Sequence, residues 1–303
     1  MLAEPSGRQS DRDRVERELF LRSTVGRNLP STRELAELLR DVAFEAGSSI
    51  YREGDAAEEI FFVRRGTVGL SRSGGPQREF GPGSVIGIFD VEQDQPRARS
   101  ALALTDVELL SLSSEDRLEL LEDSFEHTRA LIRMTAARLD EFGCYGGALL
   151  EPGATLAPKP EPLLLIERVF TLRDTPAFRK ASIQALVSLA PLADELRLAA
   201  GEPLFERGEA RAVLYVLVAG CLELEYADGE HQRFGGASLL AGGAAFGAAL
   251  SRQTARALTP AVVLRIREED FYDVMEDHFE LARSVMSYQA SEHERWLELE
   301  RAP

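Results

Sequence analysis

The chain contains little cysteine. Only Cys144 and Cys221 occur among 303 residues, far apart and without a partner motif, which excludes a disulfide framework and any zinc-site spacing. Histidine is the other common metal ligand, and the four histidines do not have metal-ligand spacing either: His127, His231, His278 and His293. The sequence therefore predicts no metal site, and we expect each histidine to be a surface or boundary residue.

Basic residues are in the minority. The 35 Lys and Arg residues are outnumbered by 51 Asp and Glu residues, and the formal net charge is −16. This balance argues against a broad nucleic-acid footprint, because binding phosphates requires clustered Lys and Arg. No basic cluster or recognition-helix pattern precedes the end of the chain at Pro303, so we predict no DNA partner. The acidic balance favours a protein partner with a basic surface.

Signals for export, membrane insertion and catalysis are also missing. The start, MLAEPSGRQSDRDRVERE, has no apolar core, so the sequence predicts a cytoplasmic protein. A long uncharged run at 234–251 (FGGASLLAGGAAFGAALS) is mostly glycine and alanine, which contribute little transfer energy, and we expect no membrane span. No Ser-His-Asp set stands at a recognisable elbow motif, and no segment is long enough for a separate catalytic domain. We therefore predict that the protein is not an enzyme.

What the sequence does contain is an internal repeat. A shift of 154 positions aligns two copies over most of a domain, and residues 122–129 (EDSFEHTR) meet 276–283 (EDHFELAR). Upstream the shift becomes 151, which places Glu16-Arg17 on Glu167-Arg168. The pairs matched at 154 include Gly47 and Gly201, Gly54 and Gly208, Gly66 and Gly220, Phe80 and Phe234, and Thr105 and Thr259. The chain is thus predicted to be two copies of one domain.

A segment rich in proline and glycine separates the two copies. Residues 145–162 (YGGALLEPGATLAPKPEP) have neither helical nor strand periodicity and are typical of a linker. The predicted organisation is a disordered tail at 1–12, a first domain at 13–144, the linker at 145–162 and a second domain at 163–303.

Each copy is predicted to begin with helices, continue with short strands and close with a long helix. In the second copy Leu222, Leu224 and Tyr226 alternate with glutamates, as in a half-buried strand. That strand ends at Asp228-Gly229, a strong two-residue hairpin signal, and the first copy has Gly74-Gly75 at the matching positions. Two different sequences thus predict the same hairpin.

The closing helices carry apolar stripes. The first has Phe125, Ile132 and Leu139 at seven-residue spacing. The second stripe is a candidate interface for a protein partner or for self-association: Leu281, Val285, Tyr288, Trp296 and Leu299. Two alternatives stay open. The closing helices pair with each other, within one chain or between chains, or each covers the strands of its own copy.

The strand region of the first copy resembles a cyclic nucleotide-binding domain. The resemblance lies in residues 46–71 (AGSSIYREGDAAEEIFFVRRGTVGLS), 80–87 (FGPGSVIG) and 95–112 (QPRARSALALTDVELLSL). Residues 200–226 and 254–266 of the second copy resemble the same family more weakly. The resemblance implies a mainly β fold with flanking helices. It consists of two tandem jelly-roll-like β-rolls, each with N-terminal helices, a short helix inside a phosphate-binding cassette, and a C-terminal hinge helix.

The resemblance also implies where a ligand would bind. In the family a glutamate after the cassette glycine holds the ribose 2′-hydroxyl, and an arginine after proline holds the cyclic phosphate. The planar guanidinium can donate two hydrogen bonds to anionic oxygens. The first copy matches the glycine with Gly87, the phosphate pair with Pro96-Arg97 and a small hydroxylated position with Ser100. The only cofactor suggested is therefore a cyclic nucleotide in the first copy.

The first cassette departs from the family at two positions. Ile88 stands where the glutamate is expected, which removes a hydrogen bond to a charged group worth about 1.5–3 kcal/mol. Arg99 replaces a small residue, and its charge offsets that loss in part or its bulk blocks the pocket. We therefore favour the alternative that Arg97 and Arg99 form surface ion pairs with the acidic face.

The second cassette departs further. At the shift of 154, Ser251 takes the place of the arginine, Gly242 that of the glutamate and Ala241 that of the glycine. Arg252 is one residue later, and one residue in an extended segment turns the side chain to the opposite face. We expect no cyclic nucleotide in this copy.

These observations favour a non-enzymatic regulatory or adaptor protein with two degenerate cassettes. Its contacts with other proteins would use the closing helices and the altered cassettes. The alternative is a receptor for cyclic AMP or cyclic GMP with a single site in the first copy, built on Arg97 and Ser100.

Overall fold

A computed structural model describes residues 7–24, 30–73, 75–141, 157–210, 212–227, 229–240, 246 and 250–299. Most of the predicted linker therefore lies outside the described residues, and its boundaries stay a prediction. The chain divides into two units, Met1–Ala130 and Leu131–Pro303. A helix starts at Gly7, so residues 7–12 of the predicted tail are helical.

The first unit contains helices before, within and after a set of short strands. The helices are α1 (Gly7–Thr24), α2 (Arg33–Leu38), α3 (Ile88–Gln93), α4 (Ser114–Asp123) and the start of α5 (Phe125–Glu141). The strands are β1 (Arg40–Phe44), β2 (Ser49–Tyr51), β3 (Glu59–Arg65), β4 (Val68–Ser71), β5 (Arg78–Phe80), β6 (Val85–Ile86), β7 (Ser100–Ala103) and β8 (Val107–Ser113).

Two antiparallel four-stranded sheets make the β-roll of the first unit, in the orders β1-β8-β3-β6 and β2-β7-β4-β5. Strand β3 explains how they pack, because alternate side chains of a strand point to opposite faces. Phe61 and Val63 face the core between the two sheets. Ile60 and Phe62 face a second core under the helices. The continuous apolar run of β3 is therefore buried on both faces.

The second unit repeats this arrangement. Its helices are α6 (Leu165–Asp174), α7 (Ile183–Leu189), α8 (Glu268–Asp277) and α9 (Phe279–Leu299). Its strands are β9 (Asp194–Leu198), β10 (Pro203–Phe205), β11 (Val213–Ala219), β12 (Leu222–Glu225), β13 (His231–Phe234), β14 (Ser238–Leu240), β15 (Thr254–Ala257) and β16 (Ala261–Arg267). The sheet orders, β14-β11-β16-β9 and β10-β15-β12-β13, match those of the first unit strand for strand. The predicted hairpin is present as the antiparallel pair of β12 and β13.

The hydrogen bonds of the backbone confirm the repeat register. Gly54 N–H donates to Arg97 O at 2.8 Å, and Gly208 N–H donates to Ser251 O at 2.8 Å. At the upstream shift, Arg17 Nη1 donates to Leu39 O at 2.8 Å. Its counterpart Arg168 donates to Ala193 O at 2.7 Å. Both shifts therefore correspond to equivalent positions in three dimensions.

A glycine begins the turn before β4 and before β12 for a steric reason. Gly66 has φ +83 and Gly220 has φ +89, a region that favours glycine. A Cβ at Gly66 would lie 2.3 Å from Asp106 O, and one at Gly220 would lie 2.4 Å from Pro260 O. The matched glycines are thus required by backbone contacts in both copies.

The uncharged run at 234–251 begins in the second β-roll. Phe234 is the last residue of β13, and residues 238–240 form β14. Residues 241–245 and 247–249 lie outside the described residues. In the part of the chain that the structure covers, we find no helix whose length and apolar character suit it to crossing a membrane.

Candidate functional site

The first cassette brings Gly87 and Arg97 into contact. Gly87 precedes α3 with φ +77, and a Cβ there would lie 2.3 Å from Arg97 Nη1. The backbone of Arg97 is fixed on the opposite side, where its N–H donates to Asp55 O at 2.8 Å. The side chain is therefore directed towards α3, and only glycine at position 87 allows this approach.

The guanidinium of Arg97 is buried and bound by the chain itself. The residue is 3% exposed. Nη1 donates to Gly87 O at 2.9 Å, and Nη2 donates to Glu59 O. Cζ lies 4.2 Å from the centroid of the Tyr51 ring, within the range of a cation–π contact. The interpretation of Arg97 as a surface ion pair is therefore wrong.

A carboxylate that the sequence analysis did not identify lies beside this guanidinium. Asp90, in α3, is 8% exposed, and its Oδ2 lies 3.7 Å from Arg97 Nη1. Its Oδ1 accepts a hydrogen bond from the N–H of Ala98 at 3.1 Å. Its position in the sequence could have identified this carboxylate. It is the third residue after the cassette glycine, on the first turn of a helix that faces the arginine.

Ile88 contributes to the core instead of to a ligand. Its side chain is half-buried and packs against the apolar cluster between the helices and β3 and β8, which includes Leu21, Leu39, Ile60 and Leu112. An aliphatic side chain has no group that can accept a hydrogen bond from a ribose hydroxyl. The position expected to hold the sugar therefore stabilises the fold.

Arg99 and Ser100 stand at the rim of the same region. Burial raises the pKa of the Tyr51 phenol, and the charges of Arg97 and of the half-buried Arg99 oppose that rise. Ser100 Oγ accepts a hydrogen bond from the N–H of Glu53 at 2.9 Å. The backbone and hydroxyl of Ser73 in turn donate to the Glu53 carboxylate, which lowers the pKa of Glu53. Ser100 thus helps to hold the loop after β2.

In the second cassette the described backbone bonds around Ser251 match those around Arg97, and a serine stands at the position of the arginine. Ser251 is buried, and its N–H donates to Glu209 O at 2.9 Å, the counterpart of the Arg97 bond to Asp55. Arg252 is exposed and Gln253 is buried, as alternation along an extended segment requires. Ala241 and Gly242 lie outside the described residues. Within the described part of this cassette, the position of the phosphate-holding arginine has no charged group.

The predicted interface stripe is largely internal to the second unit. Leu281 and Val285 are buried there, which corrects the expectation that they form a docking surface. Gln289 of α9 donates to Ile132 O at 3.2 Å, so α9 packs against the part of α5 that belongs to this unit. Tyr288 and Trp296 are half-buried, and the side chain of Leu299 lies outside the described residues.

The histidines differ from expectation at two positions. His127 is buried, with Nδ1 2.8 Å from Ser124 Oγ and Nε2 2.8 Å from Ser31 O. His293 is also buried, and burial lowers its pKa from 6.5 to about 4. Each has a polar partner from a distant segment, Ser31 for His127 and Thr135 for His293, so the helical pattern alone did not reveal their burial. Among the described residues, no group of three His, Cys, Asp or Glu side chains is arranged to hold a metal ion.

Comparisons with known proteins agree with the resemblance drawn from the cassette. The model of the cyclic nucleotide-binding domain family matches residues 41–124 and 195–278, together more than half of the chain. A cyclic AMP receptor protein of Thermus thermophilus is 33% identical over 103 residues, which are 32% of this chain and 48% of that protein. A cAMP-dependent protein kinase regulatory subunit of Aspergillus niger is 30% identical over 90 residues, 29% of this chain and 22% of that protein.

The coverage of these relatives is partial. The chain spans about half the length, or less, of the curated relatives named above. Among solved structures, the regulatory domain of Toxoplasma gondii PKA with cAMP aligns with 95% of this chain and 99% of its own chain, at 16% identity and a TM-score of 0.35. The two family matches coincide with the two β-rolls and confirm the predicted family and fold class.

Proposed function

The chain belongs to the cyclic nucleotide-binding domain family, and from that premise we propose that it is a regulatory or adaptor protein without catalytic activity. Its two repeats act mainly through contacts with other proteins. One observation carries this proposal: the guanidinium of Arg97 is already bound by Gly87, Glu59, Tyr51 and Asp90. In the second cassette Ser251 stands at the same position.

The energetics of the first cassette support a loss of ligand affinity. Ile88 packs in the core and offers no acceptor to a ribose hydroxyl. A missing hydrogen bond to a charged group costs about 1.5–3 kcal/mol, which corresponds to roughly a 10- to 150-fold weaker complex. A ligand phosphate would also have to compete with Asp90 for the same guanidinium.

Exposed apolar side chains at equivalent places in both repeats support the protein-contact mode. Leu19 on α1 and Phe170 on α6 are each 61% exposed, and they match at the shift of 151. Val15 and Ile166 lie one turn earlier on the same helices and are also exposed. Because single exposed apolar residues are common, the recurrence of the pair is the informative part. With a net charge of −16, a partner with a basic surface fits best.

Titration calorimetry on the full chain tests this proposal. We expect no saturable heat with cyclic AMP, cyclic GMP or a cyclic dinucleotide. The matched variants are Arg97→Ala, at the cassette, and Arg252→Ala, at an exposed arginine of the second repeat. Saturable heat that is lost in Arg97→Ala and kept in Arg252→Ala would contradict the proposal.

The alternative is a cyclic-nucleotide receptor with one site in the first repeat. It is favoured by the Nε of Arg97, which is buried and has no hydrogen-bond partner. An unsatisfied buried donor costs about 1–3 kcal/mol, and a phosphate oxygen would supply the missing acceptor. Arg97 and the N–H of Ala98 would then hold the phosphate, and the loop held by Ser100 would lie beside it. A cytoplasmic location and the lack of a DNA partner stay predictions under both functions.

A further inference from the structure

The two donors of the first cassette converge on one carboxylate. Arg97 and Ala98 are consecutive, and the guanidinium of the first and the N–H of the second both face Asp90, at 3.7 Å and 3.1 Å. A carboxylate presents two anionic oxygens to such donors, as a phosphodiester does. We infer that Asp90 is a built-in anion that takes the place of a ligand phosphate in the first cassette and excludes phosphate-bearing ligands. This inference deepens the proposed function and rests on it.

Burial makes the exclusion effective. Both side chains are almost wholly buried, 2% exposed for Arg97 and 12% for Asp90. A phosphate that entered beside Asp90 would place a second negative charge next to that carboxylate in a poorly solvated site. A phosphate that displaced Asp90 would break the contact of that buried carboxylate with the guanidinium of Arg97, which is unfavourable. A ligand without a negative charge would gain nothing from the guanidinium.

The helix that carries Asp90 is held in place. Glu92, on the same helix, forms a buried ion pair with Arg117 of α4. Gly87, at the start of α3, accepts a hydrogen bond from Arg97 itself. The backbone that carries Asp90 is therefore fixed at both ends of α3, and the bond from the N–H of Ala98 holds its side chain towards the guanidinium.

The second repeat lacks the anion and the cation together. At the shift of 154, Asp90 corresponds to Ala244 and Arg97 to Ser251. Ser251 is buried in the segment equivalent to that of Arg97, and Ala244 lies outside the described residues. An internal pair is expected to disappear as a unit, because losing one member removes the opposite charge that the other member faces in a buried site.

The test removes the charge and measures binding of cyclic AMP and cyclic GMP to the full chain by calorimetry. Asp90→Ala deletes the anion, and Asp90→Asn keeps its shape and an oxygen for the Ala98 N–H. Asp94→Asn is the matched control, because Asp94 is an exposed carboxylate just past the same helix. We expect no saturable heat of binding from the wild-type protein or from Asp94→Asn. Both Asp90 variants should bind, with affinity raised by roughly 10- to 150-fold, the range for one charged hydrogen bond. Arg97→Ala on either background should abolish that binding.

Failure of the inference and failure of the proposed function give different results. If neither Asp90 variant binds although circular dichroism shows both folded, the inference is overturned and the proposed function stands. If only Asp90→Asn folds, its titration alone decides the inference in the same way. If wild-type protein binds through Arg97 and Asp90→Asn binds no more tightly, both are overturned. If wild-type protein binds weakly and the Asp90 variants bind more tightly, Asp90 weakens the complex without excluding the ligand, and both the inference and the proposed function are overturned.

Discussion

One contact of the first cassette is made by charged side chains and its counterpart in the second by aromatic ones. In the first, Glu92 and Arg117 form a buried ion pair. The equivalent residues in the second are Phe246 and Phe271, whose ring centroids lie 6.4 Å apart. Charge on both sides of a contact has thus been exchanged for aromatic rings on both sides. The comparison indicates that the fold requires two side chains in contact at this point. Either an ion pair or two aromatic rings can make that contact.

A second exchange lies deeper in the β-rolls. Tyr51 stacks on Phe61 at 6.0 Å in the first, and Phe205 stacks on Tyr215 at 5.9 Å in the second. The tyrosine is the first residue of the pair in the first roll and the second residue of the pair in the second roll. In the first roll the ring of the tyrosine lies against Arg97, so the polar and charged residues gather around one cassette. In the second roll Ser251 stands at the position of Arg97, so that position does not require a tyrosine ring beside it.

The largest predicted effect breaks the ion pair of the first cassette. Arg117→Ala removes the cation with which Glu92 pairs in a buried site, and we expect the first unit to lose about 3–5 kcal/mol of unfolding free energy. Glu92→Phe combined with Arg117→Phe transplants the aromatic pair of the second cassette and should recover most of that loss. Urea denaturation followed by circular dichroism measures both. A double variant that is no more stable than Arg117→Ala would show that the two contacts are not interchangeable.

The next effect is a pH dependence confined to the second unit. Burial lowers the pKa of His293 from 6.5 to about 4, and nearby Arg138 acts in the same direction, whereas the hydrogen bond to Thr135 opposes it. The unfolded state therefore binds more protons than the folded state between these values, and stability falls as pH falls from 6.5 to 4. The expected loss is about 3 kcal/mol. Burial raises the pKa of neighbouring Glu292, which offsets part of the loss.

Fluorescence of Trp296, the single tryptophan, reports this unfolding directly from α9. Urea titrations at several pH values should show the midpoint falling with pH in the wild type and staying flatter in His293→Gln. Glu292→Gln should steepen the dependence, because it removes the offsetting group. An unchanged slope in His293→Gln would assign the pH dependence to other groups.

The smallest predicted effect compares one turn in the two repeats. Ala237 has φ 59, and its counterpart Gly83 has φ +88. The N–H groups of both donate to equivalent strands, to Leu217 O at 2.7 Å and to Val63 O at 2.9 Å. The left-handed conformation costs a residue with a Cβ about 1–2 kcal/mol. Ala237→Gly should stabilise the second unit by about that amount and Gly83→Ala should destabilise the first equally. Thermal melts of both variants measure the pair, and shifts of the same sign would refute the comparison.

Much of the fold follows from local patterns. The glycines matched by the repeat lie where a positive φ and a close backbone contact exclude other residues, as at Gly66 and Gly220. The alternation of Leu222 and Leu224 with glutamates predicted β12 correctly, because the period of a strand is set by its own backbone. The exposure of Arg252 beside the buried Ser251 also agrees with the prediction that one residue turns the side chain to the opposite face.

The candidate site was predicted only in part. Arg97 and Gly87 were identified by their place in the motif, but the burial of Arg97 was not. Its partners at Glu59, Gly87 and Asp90 come from a strand, a turn and a helix that no local period connects. The interface stripe was misplaced for the same reason. An apolar stripe shows that one face of a helix is buried. Only the tertiary structure shows that α9 packs against α5, at Ile132.

By itself the sequence determined the duplication, the family, the order of elements and the presence of Ile88 where the family resemblance predicts a glutamate. Those properties depend on residue identity and on spacing along one chain. Only the tertiary structure showed that the arginine of the first cassette has a charged partner within the chain. That partner is an aspartate of the neighbouring helix. Electrostatic interaction depends on distance in space and on exclusion of water, and neither quantity is a function of separation in sequence.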